Sequence, residues 1–89
     1  MNEKEFEEII YKYPELIEND LTVIDRQLNV GGKFVDLLFK DRHDDNLIVE
    51  LKIGTIQRVD IGQLMDYYGY FLSQNNDVTV RAMIIRVVP

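Results

Sequence analysis

Four stretches of this chain carry apolar residues at the short period of a β-strand, and two return them at the period of a helix. Asn2 can cap a first helix, with Glu5 three residues on, a variant of the capping box. Phe6, Ile9, Ile10 and Tyr13 follow as one buried stripe, which leaves Glu3, Glu7 and Glu8 as a solvated outer face. Pro14 suits the first turn of a short second piece, Pro14 to Asn19, expected to carry Leu16 and Ile17 into the core. Leu21 to Val30 and Lys33 to Lys40 read as strands around Gly31-Gly32, a two-residue hairpin signal. Asp41 to Asn46 is turn chemistry, and Asn46 to Ile53 is a third strand.

Gly54-Thr55 ends that pattern, and residues 56–73 return to helical spacing. Ile61, Leu64, Met65, Tyr68, Phe71 and Leu72 would form its broad apolar face, with Ile56, Val59, Gln63 and Tyr67 as an adjoining stripe. Ser73 to Asp77 is a polar loop, and Val78 to Val88 is a last strand, apolar on both faces at Met83-Ile84-Ile85. The order is α–βββ–α–β. A strand reached through a helix crossover can lie parallel to one strand of the preceding meander, so the expected fold is α/β: a mixed sheet with helices packed against it.

Three charges interrupt these strands. Glu50 and Lys52 share one face of the third strand, while Val49, Leu51 and Ile53 share the other. Asp36 lies inside the otherwise apolar run Phe34 to Phe39. Burying such ions is costly unless something pairs or coordinates them. If the second and third strands pair, Asp36 and Glu50 approach on one face with Lys52 beside them. Two carboxylates on neighbouring strands suit a hard divalent cation such as Mg²⁺, and a nearby lysine could orient or deprotonate an attacking water. That set fits hydrolysis of a phosphodiester. The competing reading is a buried ion pair without catalytic role.

Composition narrows the classes. The chain has 89 residues, one domain's worth, with 46% apolar and 29% charged residues, the balance of a soluble globular protein. It has no cysteine, which excludes disulfides and thiolate metal sites. No apolar run approaches a membrane span, and the acidic N-terminus is unlike a signal peptide, so a cytoplasmic location is expected. The net charge of −6 at first argues against nucleic acid as a partner. Residues 1–20, however, hold seven acids and two bases, whereas the remainder holds nine acids and eight bases, so most of the excess sits on the first helix.

Val35-Asp36 followed by Glu50-Leu51-Lys52, in this order of elements, resembles the PD-(D/E)XK nuclease superfamily and its restriction-endonuclease-like core. Gln63-Leu64-Met65-Asp66-Tyr67 looks like the Q-x-x-x-Y motif of RecB-type members, its two ends one helical turn apart. Tyr13-Pro14-Glu15-Leu16-Ile17-Glu18 resembles the N-P-x-L-I-E segment of NucS-type (EndoMS) endonucleases, and Val80 to Ile85 resembles their strand after the Q-x-x-x-Y helix. Val35 stands in place of the proline of the superfamily's name, and Ile53-Gly54 follows the lysine where relatives often have a basic residue.

The resemblance implies a metal-dependent DNA nuclease using Mg²⁺ or Mn²⁺. Asp36, Glu50 and the Leu51 carbonyl would ligate the metal, Lys52 would position the attacking water, and Gln63 with Tyr67 would support the site. It also implies an acid from the first helical region, for which Glu18 matches best and Glu15 is the rival. NucS-type enzymes carry an N-terminal DNA-binding and dimerising domain outside this sequence, and the family's domains continue past the last strand, so the chain reads as a fragment of a longer one.

Other residues carry less. His43 in the turn reads as solvated rather than ligating, and Asp66 as solvent-facing, with Asp60 undecided. Tyr68 at helical spacing with Leu64 and Phe71 reads as core rather than a base-stacking platform. Arg42, Arg58, Arg81 and Arg86 are the available phosphate contacts, too few for sequence-specific readout. An alternative to the nuclease is a catalytically weak or inactive module of the same fold, acting in nucleic-acid binding or assembly. A homodimer through the doubly apolar last strand belongs to that reading. A purely acidic protein-binding module ranks last, because it leaves Asp36, Glu50 and Lys52 unexplained.

Overall fold

A computed structural model of the chain describes residues 1–74 and 79–88. Helix α1 (Glu3–Lys12) leads through a single 3-10 turn (Pro14–Leu16) into strands β1 (Thr22–Val30), β2 (Lys33–Lys40) and β3 (Asn46–Ile53). Helix α2 (Arg58–Gln74) then crosses over to β4 (Val80–Val87). The strands form one sheet in the order β1-β2-β3-β4, antiparallel up to β3 and parallel between β3 and β4. The element order and the mixed sheet agree with expectation. α2 starts two residues later and ends one residue later than expected, and the loop expected at Ser73 to Asp77 falls largely outside the described residues, as do Val78 and Pro89.

Local chemistry accounts for the boundaries. The Asn2 side chain accepts from the Glu5 N–H at 2.8 Å and so caps α1. Gly31 and Gly32 both have positive φ, the geometry of a primed hairpin turn, and Asn29 Oδ1 accepts from the Gly32 N–H at 3.0 Å. Asp41 Oδ1 accepts from the His43 and Asp45 N–H groups, which folds the β2–β3 turn.

The helices cover opposite faces of the sheet. Phe6 and Ile10 of α1 pack with Leu37, Phe39, Leu47, Val49 and Leu51, and Met83, Ile85 and Val87 join their edge. Leu64 and Tyr67 of α2 pack with Val30, Val35, Leu38, Ile48 and Val80, joined by Tyr68, Phe71, Ala82 and Ile84. The two apolar faces of β4 are thus engaged by the chain itself, which accounts for a pattern that had suggested burial in a dimer.

Several expected burial positions differ. Leu16 is 64% exposed, and only Ile17 of that turn packs on the core, because the segment makes one 3-10 turn and keeps Leu16 on its outer side. On α1, Ile9 and Tyr13 are exposed, while Glu7, expected outside, is only 7% exposed. The buried face of α1 is narrower and rotated: Phe6 and Ile10 meet the sheet, and Glu7 lies beside them against β1. On α2 the buried face is Leu64, Tyr67, Tyr68 and Phe71, whereas Val59, Ile61, Met65 and Leu72 are exposed. A four-stranded sheet offers one helix room for one stripe, not two.

A candidate site where the sheet ladder opens

Asp36 sits where the regular sheet fails on both sides of β2. The β2–β3 ladder runs from Lys40↔Asn46 to Leu37↔Val49 and stops, one step before Asp36 would face Glu50. On the other side, β1–β2 pairing holds at Leu28↔Val35 and Arg26↔Leu37 but skips the position where Gln27 faces Asp36. Alternation breaks at the same place: Val35 packs on the α2 side, yet Leu37, two residues on, packs on the α1 side. A regular strand would put both on one face.

Side chains replace the missing backbone bonds. The Asp36 N–H donates to Glu50 Oε1 at 3.0 Å, and the Leu51 N–H donates to Asp36 Oδ2 at 2.8 Å. Each carboxylate therefore satisfies a backbone donor of the other's strand, which brings Asp36 and Glu50 together at the opening. Burial pushes the Asp36 carboxyl above the usual carboxylate range, the Leu51 N–H only partly opposing it. Burial and the neighbouring Asp36 charge push Glu50 up to about 7. Two carboxylates this close and this desolvated resist ionising together.

Among the described residues no cation pairs with either carboxylate to relieve that repulsion. Lys52 shares Glu50's face of β3, as the strand period requires, but its Nζ lies 3.4 Å from Asp60 Oδ1. Asp60 in turn accepts from the Gln57 N–H at 2.8 Å at the start of α2, and that bond, with Lys52, holds its carboxyl below the ordinary range. Glu50, Leu51, Lys52, Asp60 and Gln63 line one small cavity of about 40 Å³. Asp36 opens instead on a cleft of about 390 Å³ lined by Glu3, Lys4, Glu7 and Gln27.

Gln63 and Tyr67 meet the site as one unit. Gln63 Nε2 donates to Tyr67 Oη at 2.6 Å, and the Tyr67 hydroxyl donates to the Phe34 carbonyl at 3.1 Å. Tyr67 is 1% exposed, so α2 is pinned to β2 two residues before Asp36. Burial raises the Tyr67 pKa and keeps the hydroxyl a donor.

Glu18 is not brought to this cluster. It makes a two-pronged pair with Arg81, at 3.0 and 2.6 Å, and the same guanidinium reaches Asp41 at 2.9 Å. Arg81 is thereby occupied, which removes it from the phosphate contacts expected of it, whereas Arg58 and Arg86 are exposed. A larger cleft of about 480 Å³ opens there, walled in part by Glu18, Asp41 and Arg81, which are paired with one another. Glu15 is exposed on the 3-10 turn, His43 is exposed in the hairpin, and Asp66 is exposed on α2.

The acid that α1 does turn toward Asp36 is Glu7. It accepts from Arg26 Nη2 at 2.7 Å and from Gln27 Nε2, and Gln27 Nε2 also reaches Asp36 Oδ1 at 3.1 Å. Sequence reasoning missed both Glu7 and Gln27. The second was within reach: counting back through the Gly31-Gly32 hairpin sets Gln27 opposite Asp36. The first was hidden, because Glu7 carries no signal apart from three other acids on the same short helix.

Among the described residues no three or more His, Cys, Asp or Glu side chains gather to hold a metal ion. The donor set near Asp36 is narrower: the Asp36 and Glu50 carboxylates, both hard oxygen donors, short of a cation. It fits Mg²⁺ or Mn²⁺, which bind through one or two carboxylates and keep several waters.

Comparison with known proteins agrees with this fold. The chain is 31% identical over 84 residues to Endonuclease NucS of Methanocaldococcus jannaschii, covering 94% of this chain and 32% of that protein. An EndoMS–double-stranded DNA complex matches 93% of the chain and 34% of its own, with TM-score 0.85 and 26% identity. A repair endonuclease from Pyrococcus abyssi shares the fold over the whole chain and 39% of its own length, with TM-score 0.87 and 20% identity. The chain thus spans about a third of the length of these relatives. Residues 2–87 match the family described as the endonuclease NucS C-terminal domain, and the chain belongs to that family.

Proposed function

We propose that this domain is a metal-dependent DNA nuclease of the PD-(D/E)XK type. The observation that carries the reading is the pair Asp36 and Glu50: two desolvated carboxylates on adjacent strands, hydrogen-bonded across the opened ladder and, among the described residues, without a cationic partner. Asp36, Glu50 and the Leu51 carbonyl would hold Mg²⁺ or Mn²⁺, which would neutralise charge developing on the scissile phosphate. Lys52, on the same face of β3, orients the attacking water and leaves its contact with Asp60 to do so. Gln63 and Tyr67 would pin α2 to β2 beside Asp36, with Gln63 in the same small cavity as Glu50 and Lys52.

Kinship with NucS and with EndoMS, whose structure is known in complex with double-stranded DNA, supports duplex DNA as the substrate. The chain's own charge of −6 is unfavourable for phosphate binding, so further domains or subunits supply most of the affinity. No helix among the described residues is long and apolar enough to cross a membrane. Exposed Val59, Ile61 and Met65 on α2 favour a second reading, in which the same domain also serves assembly.

Cleavage of mismatched, branched and single-stranded DNA, with Mg²⁺ or Mn²⁺ added back after chelation, tests the enzyme. Wild type should cut at least one substrate and Lys52→Ala should not. Equal activity of the two would end this reading.

A further inference from the structure

We infer that Gln27 is a positioning residue for Asp36, held by an unusual backbone conformation and by Glu7. The inference rests on the metal-site reading above and adds to it a device that fixes one ligand's orientation.

Gln27 has φ of 51°, in the left-handed region that a non-glycine residue seldom adopts. On a regular strand Arg26 and Gln27 would point to opposite faces. Here both reach α1: Arg26 bonds Glu7 and Glu8 and lies 4.3 Å over the Tyr11 ring, and Gln27 Nε2 donates to Glu7. The reversed backbone of Gln27 permits this, at the one position of β1 that faces Asp36. Strain of that kind persists only where surrounding contacts enforce it.

The consequence falls on the Asp36 carboxylate. Its Oδ2 is held by the Leu51 N–H and its Oδ1 by Gln27 Nε2, so both oxygens are fixed and the plane of the group cannot turn. Glu7 accepts from the same Nε2 and is itself held by Arg26, so it draws the carboxamide into place beside Asp36. Outer contacts of this kind orient metal-ligating carboxylates and raise affinity.

Two variants separate positioning from folding. Gln27→Gly accepts the left-handed conformation freely, and Gln27→Asn tolerates it while shortening the side chain by one methylene. Glu7 keeps Arg26 in both. Both should unfold thermally near wild type, yet bind Mn²⁺ about 10–100-fold more weakly by calorimetry. In the metal-free protein the Leu51 amide reports on Asp36 directly: its NMR resonance should shift and its hydrogen exchange should quicken in both variants. Wild-type Mn²⁺ affinity in Gln27→Gly would overturn the inference. If wild type itself binds no Mn²⁺, the metal reading falls, and the Leu51 amide still decides: an unchanged resonance in Gln27→Gly overturns positioning, a shifted one supports it.

Discussion

Replacing Glu50 by glutamine should make the metal-free protein more stable while removing its capacity for metal. Glutamine keeps an oxygen that can accept from the Asp36 N–H, so the bond across the opened ladder survives. What disappears is a buried charge. Burial and the Asp36 carboxylate move Glu50 from 4.5 to about 7. At about 1.4 kcal/mol per pH unit this corresponds to roughly 3 kcal/mol, which partial exposure and solvent screening reduce to roughly 1.5 kcal/mol. The folded-state pKa lies above the unfolded one, so the native state binds more protons between the two values. The contribution of Glu50 is therefore fully favourable below about 4.5 and is lost as pH rises through about 7. Urea unfolding after chelation should show Glu50→Gln gaining on wild type across that window and holding its advantage above it. The corresponding rise in Tm is on the order of 5–10 °C at slightly alkaline pH. Saturating Mn²⁺ should reverse the order, since it stabilises only the protein that binds it. A Glu50→Gln variant no more stable than wild type in alkaline metal-free buffer would refute the claim that the site stores unfavourable charge.

Tyr67→Phe removes the donor to the Phe34 carbonyl and leaves the Gln63 amide without its acceptor, so it should lower stability by roughly 1–2 kcal/mol in denaturant titration; an unchanged midpoint would dismiss the pin between α2 and β2. Glu18→Gln should cost about 1 kcal/mol through the Arg81 pair and leave Mn²⁺ affinity as in wild type, whereas a tenfold loss of affinity would return Glu18 to the metal site. Mn²⁺ affinity of wild type should fall as pH drops below about 7, because Glu50 must give up its proton to bind; calorimetry showing a flat profile through that range would contradict the assignment of Glu50 as ligand.

The strands and their register were legible in the sequence because local chemistry set them. Gly31-Gly32 and Asp41 are turn residues whose geometry allows few alternatives, and β2 and β3 begin and end at the expected residues. The nearness of Asp36 and Glu50 followed from that register. What the pattern could not settle was which stripe of a helix meets the sheet. On α2 both Leu64-Phe71 and Ile61-Met65-Leu72 are apolar at helical spacing, and only the packing of Tyr67 and Leu64 against Ile48 and Val35 selects one. On α1 the choice among four acids turned on a contact with β1, a strand some 20 residues away, through Arg26 and Gln27. Motif matching favoured Glu18 because it reads adjacent residues. Its ion pair with Arg81 joins positions 63 residues apart, a distance no local pattern spans.

The opened ladder leads to one further consequence, which concerns Asp36. A buried backbone N–H must find an acceptor, and at this point the sheet supplies side-chain oxygens instead of carbonyls. Asp36 therefore does structural work besides any role in metal binding: it satisfies the Leu51 N–H and the Gln27 amide. Substituting alanine removes both acceptors in a place where Leu51 is 5% exposed, a loss of roughly 1–3 kcal/mol set against the relief of one buried charge. Substituting asparagine retains an oxygen for Leu51 and gives the same relief. Metal affinity should vanish in both, but in chelated buffer Asp36→Asn should be the more stable by at least about 1 kcal/mol. Equal stability of the two variants would mean that Leu51 finds another acceptor, and that the break in the ladder is not maintained by Asp36.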